Sequence, residues 1–499
     1  MAQKSLWRRA QDELGLTTLL NSHRDVHLLL LTRCIRMFAY GSSTLILAIY
    51  FAALGHSDTK IGLFMTLTLV GDVAISLLLT LVADKLGRRK ILVAGGLLMA
   101  FSGVVFAMFS NYWILLAAAV VGVISPSGNE IGPFRAVEES TLAHLTDAKT
   151  RSDVFAFYVV VGTLGAAAGS LTCGWLTQAL ISAGWAEVGA YRVVFWVYAI
   201  AGLTKAGITL LLSSACEAPK LAAESARPRE EQQAFLPTQP TTPATSPPKK
   251  STSLLAQISP SSRHILLKLC GLFFFDSLAS GMVPSSLIAF YMERKFALPQ
   301  GKLGTVIAIA GIMSSIGNIF ASAIAKRIGL VRTMVFTHLP SAILLALVPL
   351  PPSVIVTVII LIARASLASM DQAPRSAFLS AVVLPTERTA VMGIVNTVKT
   401  MSQSSGPLLT GSLAQSGNFW IGFVVAGMLK AGYDVGMLTM FVGMKLEGDK
   451  SKGGGLEQEQ HELGEASQAH EARVSFDELS SDEDMDDRRS PAASLKPRP

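Results

Sequence analysis

The stretch Asp84-Lys85-Leu86-Gly87-Arg88-Arg89-Lys90 decides how this chain folds. It is a short basic loop between two long apolar runs, one near 60–83 and one near 90–109. Either run, as a helix, is long enough to cross the ~30 Å of hydrocarbon in a bilayer. The loop therefore reads as a turn at a membrane surface. Gly87 permits a tight turn because it has no Cβ. Asp84 closes a helix, where it can pair with a basic group such as Arg88. Arg88, Arg89 and Lys90 hold the loop on the cytosolic side.

Outward from this loop the pattern repeats. Further apolar runs lie near 34–54, 113–141, 154–178, 190–213, 265–291, 301–325, 331–350, 353–383, 389–415 and 418–443, which makes twelve spans. The fourth and tenth exceed a minimal span and predict tilt or protrusion. Only 15% of the 499 residues are charged, against roughly a quarter in soluble domains. Mean hydropathy is +0.47. Arg8, Arg9, Lys85, Lys149, Arg151, Lys326, Arg327, Arg332 and Arg388 fall in loops on one side, and far fewer basic residues fall on the other. The positive-inside rule then places both termini in the cytosol, which requires an even number of spans. A net charge of +7 spread in this way is a topology signal, not a nucleic-acid surface.

The predicted organisation is a cytosolic N-terminus with a short surface helix over 1–33, a six-helix half over 34–213, a disordered cytosolic linker over 214–264, a second six-helix half over 265–443 and a disordered acidic tail over 444–499. The linker carries Pro247-Pro248-Lys249-Lys250 and cannot bury a core. The tail holds Asp482-Glu483-Asp484, preceded by Ser480 and Ser481, which suit an acid-directed kinase. An internal repeat supports the two halves. Arg151, Gly169 and Gly174 in run five match Arg388, Gly406 and Gly411 in run eleven without a gap, and Leu142 aligns with Leu379. Ala48-Ile49-Tyr50 echoes Ala289-Phe290-Tyr291, and Lys326-Arg327-Ile328-Gly329 is a degraded copy of the loop at 84–87.

The loop at 84–90 resembles the signature between helices two and three of the major facilitator superfamily, with Thr80 in place of its first glycine. The resemblance covers about 34–443. It implies an all-α membrane protein with twelve transmembrane helices in two pseudo-symmetric halves, a secondary transporter whose signature loop latches the halves together. Thr337-His338-Leu339-Pro340-Ser341, Met370-Asp371-Gln372-Ala373-Pro374-Arg375 and Gly128-Asn129-Glu130-Ile131-Gly132-Pro133-Phe134 look like a subgroup of that superfamily. Glycines 162, 165, 169 and 174 in run five resemble the motif of drug–proton antiporters, although Ser170 stands where proline is usual. Such an antiporter exports its solute.

Ionisable residues within hydrocarbon are costly and mark candidate sites. Asp72, Glu130, Asp276, Arg36, Arg364 and Asp371 are candidates for the substrate or proton pathway. Asp84, Gly87, Arg88, Arg89, Arg135, Glu138, Arg375 and Arg388 are candidates for gating. Pro126 with small neighbours predicts an interrupted fourth helix around Glu130, and Pro284 lets the seventh bend. Arg364, Asp371 and Arg375 read as a ladder on one helix, with Lys430 and Asp434 neutralising each other at i, i+4. Arg33 and Arg36 read as snorkelling from the start of run one, or Arg36 as facing an anion. His338 falls on a helix expected to be peripheral and structural.

The expected activity is proton-coupled export of a small organic solute by alternating access, by a monomer in the lipid bilayer of the plasma or vacuolar membrane. The alternatives are import or facilitated diffusion of a nutrient or anion, read by Arg36, Arg135 and Arg364, and a solute sensor signalling through the acidic tail. No phosphate-cradling Gly-rich loop and no cysteine–histidine cluster points to an enzyme, a cofactor or a metal. Cys34, Cys173, Cys216 and Cys270 read as inert thiols.

Overall fold

In a computed structural model the chain is described at residues 16–122, 124, 133–147, 150–217, 260–382 and 388–442. The N-terminal half contains α1 (Leu16–Leu20), α2 (Arg24–Ala53), α3 (Asp58–Leu86), α4 (Arg88–Met108), α5 (Tyr112–Gly122), α6 (Pro133–Leu145), α7 (Arg151–Ser182) and α8 (Glu187–Leu210). The C-terminal half contains α9 (Pro260–Met282), α10 (Ser285–Phe296), α11 (Gln300–Ile328), α12 (Leu330–Leu347), α13 (Val354–Ser369), α14 (Gln372–Val382), α15 (Arg388–Gln415) and α16 (Phe419–Phe441). Two spans are made of two helices each, the seventh of α9 and α10 and the tenth of α13 and α14; the fourth is described in two stretches, α5 and α6. The seventh breaks where Pro284 caps α10, and the tenth breaks at Asp371. Glu130 and its flanking small residues lie outside the described residues.

Eight helical segments among the described residues are apolar and long enough to cross a membrane alone. The remaining four spans are α3, the α5–α6 pair, α11 and α15. The long ones have 29, 29 and 28 residues, or roughly 40 Å of helix. The long helices α3, α11 and α15, with α7, build the contact between the halves. Here α7 packs on α11, and α3 on α15. Gly174 approaches Gln300 and Gly304, while Gly411 approaches Asp58 and Gly62. Small residues let these backbones come together. The matched glycines of the repeat are thus the same contact made twice.

Alternation of the spans puts the loops at 54–57, 183–186, 297–299 and 416–418 on one face, the far face. The loops at 87, 146–150 and 329 lie on the other, the near face. At the far face Arg294 grips Asp58 through two hydrogen bonds of 2.6 and 2.8 Å. Gln415 accepts from the Asp58 amide at 3.0 Å, and Gln178 accepts from the Gly301 amide at 3.0 Å. A core containing Tyr50, Phe64, Phe106, Tyr291 and Phe419 joins both halves there. Near-face residues Val26, Leu29, Ile91, Val137 and Leu212 form a separate core within the N-terminal half alone. Hydrogen bonds and core packing thus close the halves together at the far face.

The described end of the signature loop is anchored within its own half. Gly87 caps α4 with φ +94°, and Gly329 caps α12 with φ +90°, a backbone that favours glycine. Both carboxylate oxygens of Glu217 accept from the Arg88 and Arg89 amides, at 2.8 and 3.3 Å. The Arg89 guanidinium reaches the Leu210 carbonyl. The loop is therefore held by the chain that follows α8, within its own half. The side chains of Asp84 and Arg388 lie outside the described residues. Next to Glu217, Cys216 donates to Asp25 at 3.3 Å. Burial, and then the Asp25 carboxylate, push this thiol up to about 12.

The first span opens earlier than its hydropathy indicates. α2 begins at Arg24, so Arg33 and Arg36 lie two to three turns inside it. They do not snorkel: Arg33 is 5% exposed and Arg36 is turned into the bundle.

Candidate functional site

Each half buries one cluster of charge, and the clusters are built alike. In the N-terminal half the centre is Glu138 on α6, fully buried. Arg36 of α2 donates to it at 2.6 Å and Tyr158 of α7 at 2.8 Å, while Lys205 of α8 lies 3.5 Å away. The Arg33 guanidinium stacks 4.3 Å from the Tyr158 ring. Glu138 was expected in a gating cluster with Arg135 and Glu139. Only those two pair with each other, at 2.7 Å on the half-exposed side of α6. One helix face separates them from Glu138, which turns inward.

In the C-terminal half the centre is Asp276 on α9. Arg375 of α14 donates to it at 2.7 Å and Lys430 of α16 at 2.8 Å; Lys430 also donates to Ser280. Arg375 reaches Asp371 as well. Asp434 meets His338 of α12, whose Nδ1 lies 2.9 Å from both its oxygens. The other ring nitrogen of His338 is 3.8 Å from Asp276. The expected Lys430–Asp434 pair does not form, because each group bonds a partner on another helix: Lys430 the Asp276 carboxylate and Asp434 the His338 imidazole. The expected ladder is half formed: Asp371 and Arg375 pair, but Arg364 lies on α13 beyond the break and its buried Nε meets no partner. His338 is central to this cluster and is not peripheral.

Asp72 is buried on α3, and neither of its carboxylate oxygens has a hydrogen-bond partner among the described residues. Tyr40 and Tyr198 are its electrostatic neighbours.

Lys205 and Tyr158 are the members that sequence reading missed. A signal for Lys205 exists: Ala201-Gly202-Leu203-Thr204-Lys205-Ala206-Gly207 repeats as Ala426-Gly427-Met428-Leu429-Lys430-Ala431-Gly432. Gly202 packs on Ala100 of α4, and Gly427 on Ala342 of α12. The same helix contact thus delivers a lysine to the carboxylate in each half. The carboxylate and arginine trade places. Glu138 lies thirteen residues before Arg151, and Arg375 thirteen before Arg388. Arg36 and Asp276 lie within one residue of equivalent positions on the first span of each half.

The Major Facilitator Superfamily model matches residues 29–264 and 269–474. The chain belongs to that superfamily. It is 34% identical over 430 residues to an uncharacterized membrane protein of Saccharomyces cerevisiae, covering 84% of this chain and 95% of the relative. Its fold is similar to the nucleoside transporter NupG, with TM-score 0.63 at 13% identity, covering 85% of this chain and all of the other. It is also similar to the inward-open xylose transporter XylE from E. coli, with TM-score 0.62 at 13% identity, covering 83% and 96%. This member of the superfamily is a multi-pass integral membrane protein and a secondary transporter, not an enzyme.

Proposed function

We propose that this superfamily member exports a small organic solute in exchange for protons, and that Asp72 carries the coupling proton. The observation behind this reading is the contrast between Asp72 and the other buried carboxylates. Glu138 and Asp276 are each held by an arginine and a lysine, which favour the ionised form. Asp72 has no such partner among the described residues. An ionised carboxyl without partners costs several kcal/mol at this depth, so its neutral form suits one state of the cycle and its charged form the other. The closed far face supplies one end of an alternating-access cycle. Export rests on the glycine-rich fifth span, and both termini and the signature loop are taken as cytosolic.

The test uses the full-length protein in proteoliposomes containing a pH-sensitive dye. A labelled nucleoside, a labelled pentose and a labelled carboxylate are offered in turn, with and without a proton gradient. Gradient-driven movement of one solute, uncoupled by Asp72→Asn, supports the reading. Movement indifferent to the gradient, or coupling intact in Asp72→Asn, sinks it. Arg364 favours a second reading of the cargo: its guanidinium, whose buried Nε has no partner among the described residues, suits a carboxylate or phosphate.

A further inference from the structure

We propose that His338 and Asp434 form a second proton-binding site, in the C-terminal half, whose loading is passed to Asp276. Asp434 is fully buried, and its one hydrogen-bonding partner among the described residues is the His338 imidazole. Lys430, one turn away on the same helix, turns to Asp276 and Ser280 and does not neutralise it. A neutral imidazole beside an ionised Asp434 would leave a buried negative charge with no cation bound to it. Either an imidazolium beside a carboxylate or an imidazole beside a carboxylic acid removes that cost. Both forms hold one more proton than the unfavourable one. The pair is therefore a unit that stores a single proton, and imidazole is the side chain that exchanges one near neutral pH.

The second ring nitrogen gives the proton a mechanical consequence. When protonated it points an N–H at Asp276, 3.8 Å away on α9. Asp276 in turn holds Arg375 on α14, beyond the break in the tenth span. The proton thus ties the packed α12–α16 pair to the two broken spans, seven and ten. The other groups facing this site are Tyr433, whose ring meets His338 edge-on, Asp371 bound to Arg375, and Lys399 of α15 over the Phe273 ring. Losing the proton removes the N–H aimed at Asp276 and loosens α9 from α12. The N-terminal half has no such unit. Nine residues past the capping glycines, Gly96 stands where His338 stands, and Thr209 occupies the position of Asp434.

Coupling of this site to solute movement rests on the proton-exchange reading above; the site itself does not. The experiment is infrared difference titration of the full-length purified protein between about pH 5 and 9, following imidazole and carboxyl bands. One step that combines an imidazole and a carboxyl change is expected. Both His338→Gln and Asp434→Asn should abolish that same step, while His144→Gln at the surface leaves it. Persistence of the step in either pair variant overturns the site. Asp434→Asn keeps shape and hydrogen bonding, so it serves if His338→Gln misfolds. Proteoliposome flux separates the two claims. Flux indifferent to the gradient, with the titration step lost in both variants, sinks the coupling and upholds the site. Gradient-driven flux with the step intact does the reverse.

Discussion

The N-terminal half centres its buried ion-pair cluster on one carboxylate, Glu138, whereas the C-terminal half spreads the same function over Asp276, Asp371 and Asp434. The frame is common to both. A glycine at φ near +90° caps the third helix, an Ala-Gly-x-x-Lys-Ala-Gly segment brings a lysine from the sixth, and an arginine–carboxylate pair joins the first span to the fourth. The signs of that pair are reversed between the halves. A duplicated fold therefore preserves the need for charge neutrality and not the identity of the charged residue. Buried ions need a partner, and either member of the pair can supply either sign. The added carboxylates and His338 give the C-terminal half a titratable unit that the N-terminal half replaces with close backbone packing at Gly96.

The largest effect should come from Glu138→Gln, which strips the charge shared by Arg36 and Lys205. A loss of about 3–5 kcal/mol is expected, read from thermal unfolding of the purified protein. Asp276→Asn should cost less, about 1–3 kcal/mol, because Arg375 keeps Asp371 and Lys430 keeps Ser280. Equal losses would break the contrast between one carboxylate and three.

Next come the paired glycines. An added Cβ at Gly202 would lie 2.6 Å from the Ala100 amide nitrogen, and one at Gly427 would lie 2.7 Å from the Ala342 carbonyl oxygen. Gly202→Ala and Gly427→Ala should each destabilise by about 1–3 kcal/mol. Similar shifts in unfolding temperature would sharpen the idea of one frame used twice; tolerance in one half alone would break it.

Glu217→Ala removes the carboxylate that caps α4 and should cost about 1 kcal/mol. Amide hydrogen exchange at Arg88 and Arg89 should quicken, while the start of α12, which has no counterpart to Glu217 among the described residues, stays unchanged.

The smallest effect belongs to Asp58→Asn at the far face. Its partner Arg294 is 45% exposed, so stability should change by less than about 1 kcal/mol. Its influence is on the balance of states, since Asp58 and Arg294 bridge the halves. Cysteine labelling between the halves at the far face should rise. No rise would mean that glycine packing alone seals it.

Hydropathy, loop charge and repeated glycines were enough to count the spans, divide them six and six and recognise the superfamily. Such features are local: a helix needs a fixed length of apolar chain, and a close contact needs a small residue at a fixed interval. The break at Pro284 was legible for the same reason. The pairings were not. Lys430 and Asp434 are a turn apart and look complementary, yet Lys430 bonds Asp276 and Asp434 bonds His338, each from another helix. Arg36 looks like a surface group until α2 is seen to begin at Arg24. Sequence alone thus determined the number of spans and most of their extent. Tertiary structure decided which of them neutralise one another, because in hydrocarbon a charge is settled by the nearest opposite group in space, whatever its distance along the chain.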